Sequence, residues 1–375
     1  MFTKDDYKFM AQALYLARKG IFTTDPNPRV GCIIVKNNQV TGKGYHKYAG
    51  GDHAEIAALK NCKNNGYDPA SSEVYVTLEP CSHFGRTPPC AKALIEAKVS
   101  KVTIAATDPN PQVAGRGIKM LQDAGIEVKH GLLEQESREL NRGFIKRMES
   151  GKPFVLCKMA MSMDGRTAMA SGESKWITSA QSRADVHRIR AASSAMLTGI
   201  GTVLHDDPAM TARLQEDTKE ILQPQRIILD PQFQIPESAQ ILKKPTTGIP
   251  TETTVITAIE NSDKIKRLKK IGAIVKLLSA NNTCFDLNEV LCYLAEQQIN
   301  NIMLESGAQL AGAFLEAGLI DELIIYMAPH IMGNNAKGLF ALPTLEKMSQ
   351  RIDLDIKEIY TIGNDIKITA TVINL

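Results

Sequence analysis

The chain has 375 residues, of which 43% are hydrophobic and 23% charged, and this composition excludes extensive disorder. Its 44 basic and 41 acidic residues give a net charge of only +3, so we expect no nucleic-acid partner. The sequence lacks both a secretory leader and an apolar run of roughly 18 residues, so we expect no membrane association. Seven cysteines in a chain of this length do not indicate a disulfide scaffold, and we predict a cytoplasmic protein with two or three domains.

The first 150 residues alternate between helical and strand patterns. Apolar residues recur at helical spacing over residues 4–19, and this pattern ends at Gly20. Strands are then predicted over 30–35, 40–45, 73–78, 102–106 and 126–129, and helices over 54–59, 91–97, 117–124 and 133–146. Helices that alternate with strands in this way predict a partly parallel sheet covered by helices.

A polar, helix-breaking connector over residues 147–153 separates the two parts of the chain. After it, strands are predicted over 154–160, 195–197, 226–229, 254–257, 273–276, 301–304, 322–326 and 367–373, and helices over 180–192, 261–270, 286–297 and 310–317. Residues 215–225 and 231–251 are rich in Pro and Gln and predict surface loops. We expect one domain over residues 1–147 and a second over 148–375.

The most informative local pattern joins His53 and Glu55 to two later Pro-Cys pairs that contain Cys81 and Cys90. A catalytic zinc ion takes three protein ligands and keeps one position open for water, which one imidazole and two thiolates provide. A carboxylate near the metal is then needed to move protons between the water and a departing amine. The pattern therefore predicts a zinc-dependent deaminase, with Glu55 as the proton-transfer residue.

Two structural interpretations of the same residues remain open. Asp52 and Glu55 also fit a helix capping box, in which Glu55 would only stabilise a helix start. A closed structural zinc site would need a fourth ligand, for which His83 is available. Cys32 lies in an apolar strand pattern and Cys62 near a helix end, so we interpret both as core or surface thiols rather than ligands.

The motifs around these residues extend over nearly the whole chain. They are TDPNPRVGC (24–32), TLEPCSHFGRTPPC (77–90), DPNPQVAGRG (108–117), SMDGRTA (162–168), GESKWIT (172–178), GTVLHDDP (201–208) and ESGAQL (305–310). In content and order they resemble the bifunctional deaminase–reductase family of riboflavin biosynthesis, and the eight residues between Cys81 and Cys90 match that family's form of the zinc motif. One departure is Arg29, where we expect a smaller polar residue such as Asn.

This resemblance implies an α/β fold, with a three-layer cytidine-deaminase-like domain followed by a dihydrofolate-reductase-like domain. The first domain would hydrolyse the 2-amino group of 2,5-diamino-6-(5-phosphoribosylamino)pyrimidin-4-one to give 5-amino-6-(5-phosphoribosylamino)uracil. His53, Cys81 and Cys90 match the zinc ligands, and Glu55 matches the proton-transfer residue. The second domain would then reduce the ribosyl group to a ribityl chain with NADPH. A homo-oligomer, either a dimer or a tetramer, is also implied.

For the second domain the resemblance implies two sets of residues. The positions matched to NADPH binding are Ala160, Trp176, Thr202, Asp206, Gly307, Ala308, Gln309, Leu310, Ala311, Gly312 and Ala313. The positions matched to the phosphorylated substrate are Ser174, Arg190, Met210, Arg213 and Glu305. Two arginines suit a phosphate group because guanidinium donates hydrogen bonds in a planar fork.

From the residues alone this second site is weakly indicated. Gly199 and Gly201 lack the third glycine of a dinucleotide fingerprint and fit a tight turn. Trp176 fits core packing, and Arg190 fits a solvated helix face. The group that protonates the sugar oxygen stays open between Asp206, Glu305 and Lys158.

Two competing functions also remain at this stage. One is a nucleoside, nucleotide or RNA-base deaminase with an unrelated second domain. The other is a binding module that zinc stabilises and in which Glu55 has no chemical role.

Overall fold

The computed structural model describes residues 1–82, 89–110, 114–214, 221–281 and 284–373. It divides the chain into two compact units, Met1–Gly151 (the N-terminal unit) and Lys152–Leu375 (the C-terminal unit). The boundary predicted at residues 147 and 148 falls within a helix that continues to Ser150 and ends at Gly151, where a positive φ of 68° suits glycine.

The N-terminal unit is built on one five-stranded sheet. Its elements are α1 (Lys4–Arg18), β1 (Gly31–Lys36), β2 (Gln39–Tyr45), α2 (Ala54–Asn64), β3 (Glu73–Leu78), α3 (Cys90–Glu96), β4 (Lys101–Ala106), α4 (Arg116–Asp123), β5 (Glu127–His130), α5 (Glu134–Leu140) and α6 (Arg142–Ser150). The strand order is β2-β1-β3-β4-β5. Strand β1 is antiparallel to β2 and β3, whereas β3, β4 and β5 are parallel. This mixed sheet agrees with the partly parallel sheet that the sequence predicts.

Both faces of this sheet are buried, as alternating residues of β1 show. Cys32 and Ile34 pack with α2, α3 and α4 on one face. Ile33 and Val35 pack with the apolar side of α1 on the other. Because successive strand residues point to opposite faces, a fully apolar strand such as β1 belongs between two helical layers. The predicted three-layer arrangement is therefore confirmed.

The C-terminal unit is built on a nine-stranded sheet. Its elements are β6 (Phe154–Ser162), β7 (Arg166–Ala168), α7 (Ala180–Ala191), β8 (Ala195–Gly199), α8 (Ile200–Asp206), β9 (Gln225–Leu229), β10 (Thr253–Thr257), α9 (Ser262–Lys270), β11 (Ala273–Leu277), β12 (Ala280–Asn281), β13 (Cys284–Phe285), α10 (Leu287–Glu296), β14 (Asn301–Leu304), α11 (Ala308–Glu316), β15 (Glu322–Ala328), β16 (Lys337–Gly338), β17 (Leu354–Ile362) and β18 (Asp365–Val372). The sheet order is β11-β10-β9-β8-β14-β6-β15-β18-β17, and two further pairs, β12-β13 and β16-β7, lie outside it.

The directions of the strands in the large sheet determine which strand ends share an edge. Strands β6, β8, β9, β10, β11, β14 and β15 are parallel, and only β17 and β18 run against their neighbours. In β14, Ile302 and Leu304 pack into one core and Met303 into the other, so helices cover both faces. The carboxyl ends of neighbouring parallel strands meet at one edge, where ligands bind in open α/β sheets.

Several elements differ from the sequence prediction. The helix predicted over 133–146 is divided between α5 and α6 at Asn141, whose side chain accepts a hydrogen bond from Arg29 N (2.7 Å) and donates one to Arg29 O (3.0 Å). The tight turn predicted at Gly199 and Gly201 is wrong, because helix α8 begins there. The long strand β17 has no counterpart in the prediction. Residues 215–220 of one predicted loop lie outside the described residues.

Candidate active sites

His53, Cys81 and Cys90 converge in the N-terminal unit. His53 immediately precedes α2, Cys81 follows β3, and Cys90 is the first residue of α3. The Nδ1 atom of His53 lies 3.7 Å from Cys81 Sγ and 3.3 Å from Cys90 Sγ, and all three donor atoms lie within 4.8 Å of one another. A tetrahedral zinc ion with ordinary bond lengths separates such N and S atoms by roughly 3.5 Å. The three residues therefore fit a zinc ion with its fourth position open.

Local structure favours the thiolate form of Cys81. The backbone N–H of Cys90, at the start of α3, donates a hydrogen bond to Cys81 Sγ (3.3 Å). The side chain of Cys90 and the imidazole of His53 also stabilise the thiolate, and together they lower the pKa of Cys81 to about 4 despite its burial. A deprotonated sulfur is the form that binds zinc.

Glu55 is the second residue of α2 and lies beside the three donor atoms. It is only 3% exposed, and burial together with the negative charge of Cys81 raises the pKa of its carboxyl group to about 7. A carboxyl group with this pKa both accepts and donates a proton near neutral pH, as proton transfer in catalysis requires. The structure thus brings Glu55 to the predicted metal site without making it one of the three clustered ligands.

The capping-box interpretation of Glu55 is wrong. Helix α2 has His53, not Asp52, as its N-cap, and the cap makes no side-chain hydrogen bond. Asp52 instead pairs with Lys60 (2.6 Å) on the surface. The alternative ligand His83 lies outside the described residues. Cys32 and Cys62 are fully buried in the apolar core, as predicted.

Glu79 supports the metal site but is not singled out by the sequence pattern. It is 4% exposed, and its carboxylate accepts hydrogen bonds from four backbone N–H groups, those of Asp108 (3.3 Å), Gly115 (3.0 Å), Gly117 (2.9 Å) and Ile118 (3.2 Å). It therefore fixes the start of α4 against the Pro80–Cys81 segment. A Cβ at Gly117 would lie 2.0 Å from Pro80 O, so this close approach requires glycine. The only sequence signal for Glu79 is its position two residues before Cys81.

His46 is a second neighbour of the metal site that the sequence analysis does not identify. Its ring centroid lies 5.3 Å from that of His53. Its Nε2 atom lies 3.0 Å from Asn27 Nδ2, and its Nδ1 atom lies 3.0 Å from Asp52 O. Because an amide nitrogen only donates, Nε2 accepts and Nδ1 carries the proton. Burial lowers the pKa of His46, which agrees with this neutral form.

In the C-terminal unit, the residues matched to NADPH binding come from three neighbouring strands. Ala160 lies near the carboxyl end of β6, Thr202 lies on α8 directly after β8, and Gly307 precedes α11 after β14. A Cβ at Gly199 would lie 3.3 Å from the side chain of Leu310, so the first turns of α8 and α11 are adjacent. Side chains that are far apart in sequence therefore share the edge where ligands are expected.

The residues of α11 differ in their access to this edge. A Cβ at Gly307 would meet no atom within 4 Å, which shows open space before the helix. Ala311, by contrast, is fully buried in the core, and Gly312 packs against the backbone of Ala341. The remaining matched positions, Ala308, Gln309, Leu310 and Ala313, are partly or fully exposed.

Glu305, Arg190 and Lys158 form a buried ion cluster. Arg190 donates through Nε to Glu305 Oε1 (2.6 Å) and through Nη2 to Oε2 (2.9 Å), while Lys158 Nζ lies 3.3 Å from Oε2. Burial alone would raise the pKa of Glu305, but the charges of Arg190 and Lys158 hold it well below its usual range. Arg190 is therefore not on a solvated face, contrary to the interpretation from its helical position alone.

Two further residues matched to the substrate, Met210 and Arg213, lie near Thr211, whose carbonyl oxygen accepts a hydrogen bond from Arg190 (3.2 Å). Met210 is 5% exposed and has a φ of 51°. Arg213 is exposed, with its Nη2 atom 3.2 Å from His187 Nε2. Burial and the charges of Arg190 and Arg213 lower the pKa of His187 to about 4, so this histidine is neutral near pH 7.

Ser174 and Trp176 lie on the segment between β7 and α7. Ser174 is partly buried. Trp176 is 71% exposed, so the core-packing interpretation is wrong. Asp206, at the end of α8, contacts this segment at Lys175. The Nζ atom of Lys175 lies 4.0 Å from Asp206 Oδ1.

Two family models match the two units. The cytidine and deoxycytidylate deaminase zinc-binding region matches residues 3–106, and the RibD C-terminal domain matches residues 153–368. The chain is 47% identical to the riboflavin biosynthesis protein RibD of Escherichia coli K12 over 372 residues, which are 97% of this chain and 98% of that protein. It is 42% identical to RibD of Bacillus amyloliquefaciens over 364 residues, 96% and 95% of the two chains. The chain belongs to the RibD family.

Solved structures agree over the full length. Acinetobacter baumannii RibD has a TM-score of 0.90 at 42% identity and covers 99% of both chains. A diaminohydroxyphosphoribosylaminopyrimidine deaminase/5-amino-6-(5-phosphoribosylamino)uracil reductase from Thermotoga maritima has a TM-score of 0.87 at 31% identity, covering 98% of this chain and 99% of that one.

Membership in the family establishes the general activity. The chain is a bifunctional enzyme of riboflavin biosynthesis that acts on a small molecule, with a zinc-dependent deaminase and an NADPH-dependent reductase. The predicted fold class, a cytidine-deaminase-like domain followed by a dihydrofolate-reductase-like domain, is confirmed. The interpretations as a base deaminase with an unrelated domain and as a binding module are wrong. Within the described residues, no helix has the length and apolar character needed to cross a bilayer.

Proposed function

We propose that the N-terminal unit hydrolyses the 2-amino group of 2,5-diamino-6-(5-phosphoribosylamino)pyrimidin-4-one. Water adds its oxygen to C2, and the bond between C2 and the exocyclic 2-amino nitrogen breaks. Ammonia leaves, giving 5-amino-6-(5-phosphoribosylamino)uracil. The observation that carries this proposal is the convergence of His53, Cys81 and Cys90 beside a buried carboxyl group. A relative from Thermotoga maritima bears the name of a deaminase for this class of compound.

In this proposal each residue of the first site has one role. His53, Cys81 and Cys90 hold zinc, which when bound supplies a Lewis acid that makes a water molecule nucleophilic at neutral pH. Glu55 takes a proton from the water and delivers it to the departing nitrogen, a cycle that suits a carboxyl group with a pKa of about 7. Glu79 and Gly117 only hold the loop that carries Cys81.

We propose that the C-terminal unit reduces the ribosyl group of the deaminated product. NADPH, when bound, supplies the hydride for C1′ of the opened sugar or imine. Gly307 and the N–H groups at the start of α11 suit the pyrophosphate, because a helix N-terminus favours anions. Arg213 is exposed and suits the substrate phosphate.

The ion cluster favours Lys158 as the proton donor in this reduction. Glu305 is ionised near neutral pH because Arg190 and Lys158 hold its pKa low, so it has no proton to give. Asp206, at the end of α8, has Lys175 Nζ as its neighbour, 4.0 Å from Oδ1. Lys158 Nζ lies 3.3 Å from Glu305 Oε2, and Lys158 lies two residues before Ala160 on the same face of β6.

We also propose a homodimer formed through strand β17. Leu354, Ile356 and Ile359 are 40%, 54% and 60% exposed, and they share a sheet face with Ile368 and Val372, which pack on the core. A nine-residue edge strand with an apolar face is a surface that proteins normally cover. A second copy covers it by packing the same apolar face of its own β17 against this one about a two-fold axis.

Light scattering tests the dimer. Ile356→Lys is expected to give a monomer, whereas Glu358→Lys, on the opposite face of β17, keeps the dimer. A monomeric wild-type chain, or a dimeric Ile356→Lys variant, would contradict this interface.

A cytoplasmic location is proposed because all seven cysteines are free thiols, as in reducing compartments.

Glu55→Gln is the direct test of the deaminase assignment. Because Gln cannot transfer a proton, we expect ammonia release to fall by about 10²-fold to 10⁴-fold. Zinc content and NADPH oxidation on the deaminated compound should stay at wild-type values. Ammonia release at the wild-type rate in this variant would refute the role of Glu55.

A further inference from the structure

Trp176 is the only tryptophan in the chain, and its side chain is 71% exposed. An exposed indole ring loses the hydrophobic free energy that burial would give, so its position calls for a partner that stacks on it. The ring lies on the segment that leads from β7 into α7, and the preceding residue, Lys175, contacts Asp206, another position matched to NADPH.

The guanidinium of Arg183 holds one face of this ring. Its Cζ atom lies 4.5 Å above the centroid of the Trp176 ring, and its Nη1 atom donates a hydrogen bond to Thr178 O (2.6 Å). A planar guanidinium that stacks on an indole and also holds the nearby backbone fixes both the height and the orientation of the ring.

Arg183 is itself fixed by the first turn of α7. The buried carboxylate of Asp365 accepts hydrogen bonds from Ser179 N (2.7 Å) and Ser182 Oγ (2.6 Å), and Ser179 Oγ caps the helix. Asp365 is only 2% exposed and begins β18, which pairs with the carboxyl end of β15. The first turn of α7, which carries Arg183, is therefore anchored to the start of β18 by these hydrogen bonds.

The same segment is held at its other end by α8. Lys175 Nζ lies 4.0 Å from Asp206 Oδ1, and Gly172 O lies 3.3 Å from His205 Nε2. Residues 172–178 therefore span the distance between α8 and α7, and the Trp176 ring stands between these two anchors. Arg183 lies over one face of the ring, and because the side chain is still 71% exposed, the rest of the ring is open to a flat ligand.

We propose that Arg183 is a positioning residue for NADPH: it holds the Trp176 ring in place so that the opposite face stacks on a planar ring of the dinucleotide. This inference rests on the proposed assignment of Trp176 to the cofactor site. The benefit is preorganisation, because a ring that is already held loses less conformational entropy when the dinucleotide binds. Arg183 itself acts through Trp176 and takes no part in the chemical step.

The single tryptophan makes this inference testable by fluorescence. NADP⁺ does not absorb indole emission, so a change in Trp176 emission on its addition reports contact with the ring rather than energy transfer. We would titrate the zinc-loaded full chain with NADP⁺ by fluorescence and with NADPH by calorimetry. The variants are Arg183→Gln, Arg183→Lys and, as a matched charge control, Arg267→Gln, whose guanidinium pairs with Glu237 on the surface.

We expect Arg183→Gln to raise the Kd for NADPH by about threefold to tenfold, the size of one cation–aromatic contact. The KM for NADPH should rise in parallel while kcat at saturating NADPH is unchanged, a split that general destabilisation would not produce. Arg183→Lys should lie between the wild type and Arg183→Gln, since it keeps the charge but loses the planar fork. Arg267→Gln should match the wild type.

Two results would overturn the inference. One is an unchanged Kd for NADPH in Arg183→Gln. The other is wild-type Trp176 emission that does not respond to NADP⁺ at concentrations that saturate the enzyme, which would remove Trp176 from the cofactor site as well. NADPH oxidation on the deaminated compound is measured separately, so the reductase function stands or falls independently of either result.

Discussion

Arg190 and Glu305, both matched to substrate binding by resemblance, bind each other through two parallel hydrogen bonds of 2.6 and 2.9 Å. Their side chains are 14% and 9% exposed, so the pair is a buried link between α7 and the end of β14. Arg190 Nη1 also donates to Thr211 O (3.2 Å), on the segment that leads to Arg213. Arg190 therefore joins two parts of the substrate site before any phosphate binds.

Breaking this pair should destabilise the C-terminal unit. In Glu305→Gln, the charge of Arg190 is left in a buried position, a change that costs about 3–5 kcal/mol of the free energy of unfolding. Chemical denaturation measures this loss, and NADPH oxidation should fall with it. The exposed Glu296→Gln should stay within about 0.5 kcal/mol of the wild type. Equal stabilities of the two variants would show that the ion pair is not important for the fold.

The neutral state of His187 predicts how stability depends on pH. Its pKa is lowered to about 4 in the folded protein, chiefly by burial, whereas an unfolded chain has a histidine pKa of about 6.5. Between these values the unfolded chain binds a proton that the folded chain does not, so stability falls as the pH decreases from about 6.5 to 4.

His187→Gln isolates this contribution. The variant should lose less thermal stability between pH 7 and pH 5 than the wild type, because its side chain does not titrate. The same decrease in Tm for both proteins would contradict the neutral assignment of His187.

Removal of zinc should separate the two activities. A chelator, or the substitution Cys90→Ala, is expected to abolish ammonia release, because the three ligands and the proposed proton-transfer residue all lie in the N-terminal unit. NADPH oxidation on the deaminated compound should continue. Metal analysis should give one zinc ion per wild-type chain and none for Cys90→Ala. Loss of both activities together would argue against two independent sites.

Glu79→Gln tests the support of the metal site. The amide is uncharged and has one acceptor oxygen in place of two, so two of the four backbone donors around Glu79 face an NH2 group that cannot accept. We expect a loss of about 2–3 kcal/mol in the stability of the N-terminal unit and weaker zinc binding. Glu127→Gln, on an exposed position of β5, is the matched control. Unchanged zinc affinity in Glu79→Gln would limit this residue to a role in folding.

The first site could be predicted from the sequence to a large extent because its chemistry restricts residue types. Only a few side chains bind zinc, and His53, Cys81 and Cys90 stand beside prolines and a helix start in a short part of the chain. Glu79 could not be predicted, since its partners are backbone N–H groups, which have no signature in the sequence.

The second site is different because it depends on the order of strands in the sheet. Thr202, Gly307 and Ala160 meet only because β8, β14 and β6 are neighbours, and periodicity along the chain does not contain that order. Arg190 was assigned to a solvated face because its ion-pair partner is 115 residues away. Strand β17 escaped prediction because a register shift between Ile356 and Glu358 interrupts its alternation of apolar and polar residues.

The most direct test of the whole account is a coupled assay on purified, zinc-loaded protein. Freshly prepared 2,5-diamino-6-(5-phosphoribosylamino)pyrimidin-4-one is supplied, and ammonia release and NADPH oxidation are followed together. We predict that ammonia appears whether or not NADPH is present, and that NADPH is consumed only after deamination has begun. NADPH consumption without prior ammonia release, or neither reaction in the presence of zinc, would contradict the account.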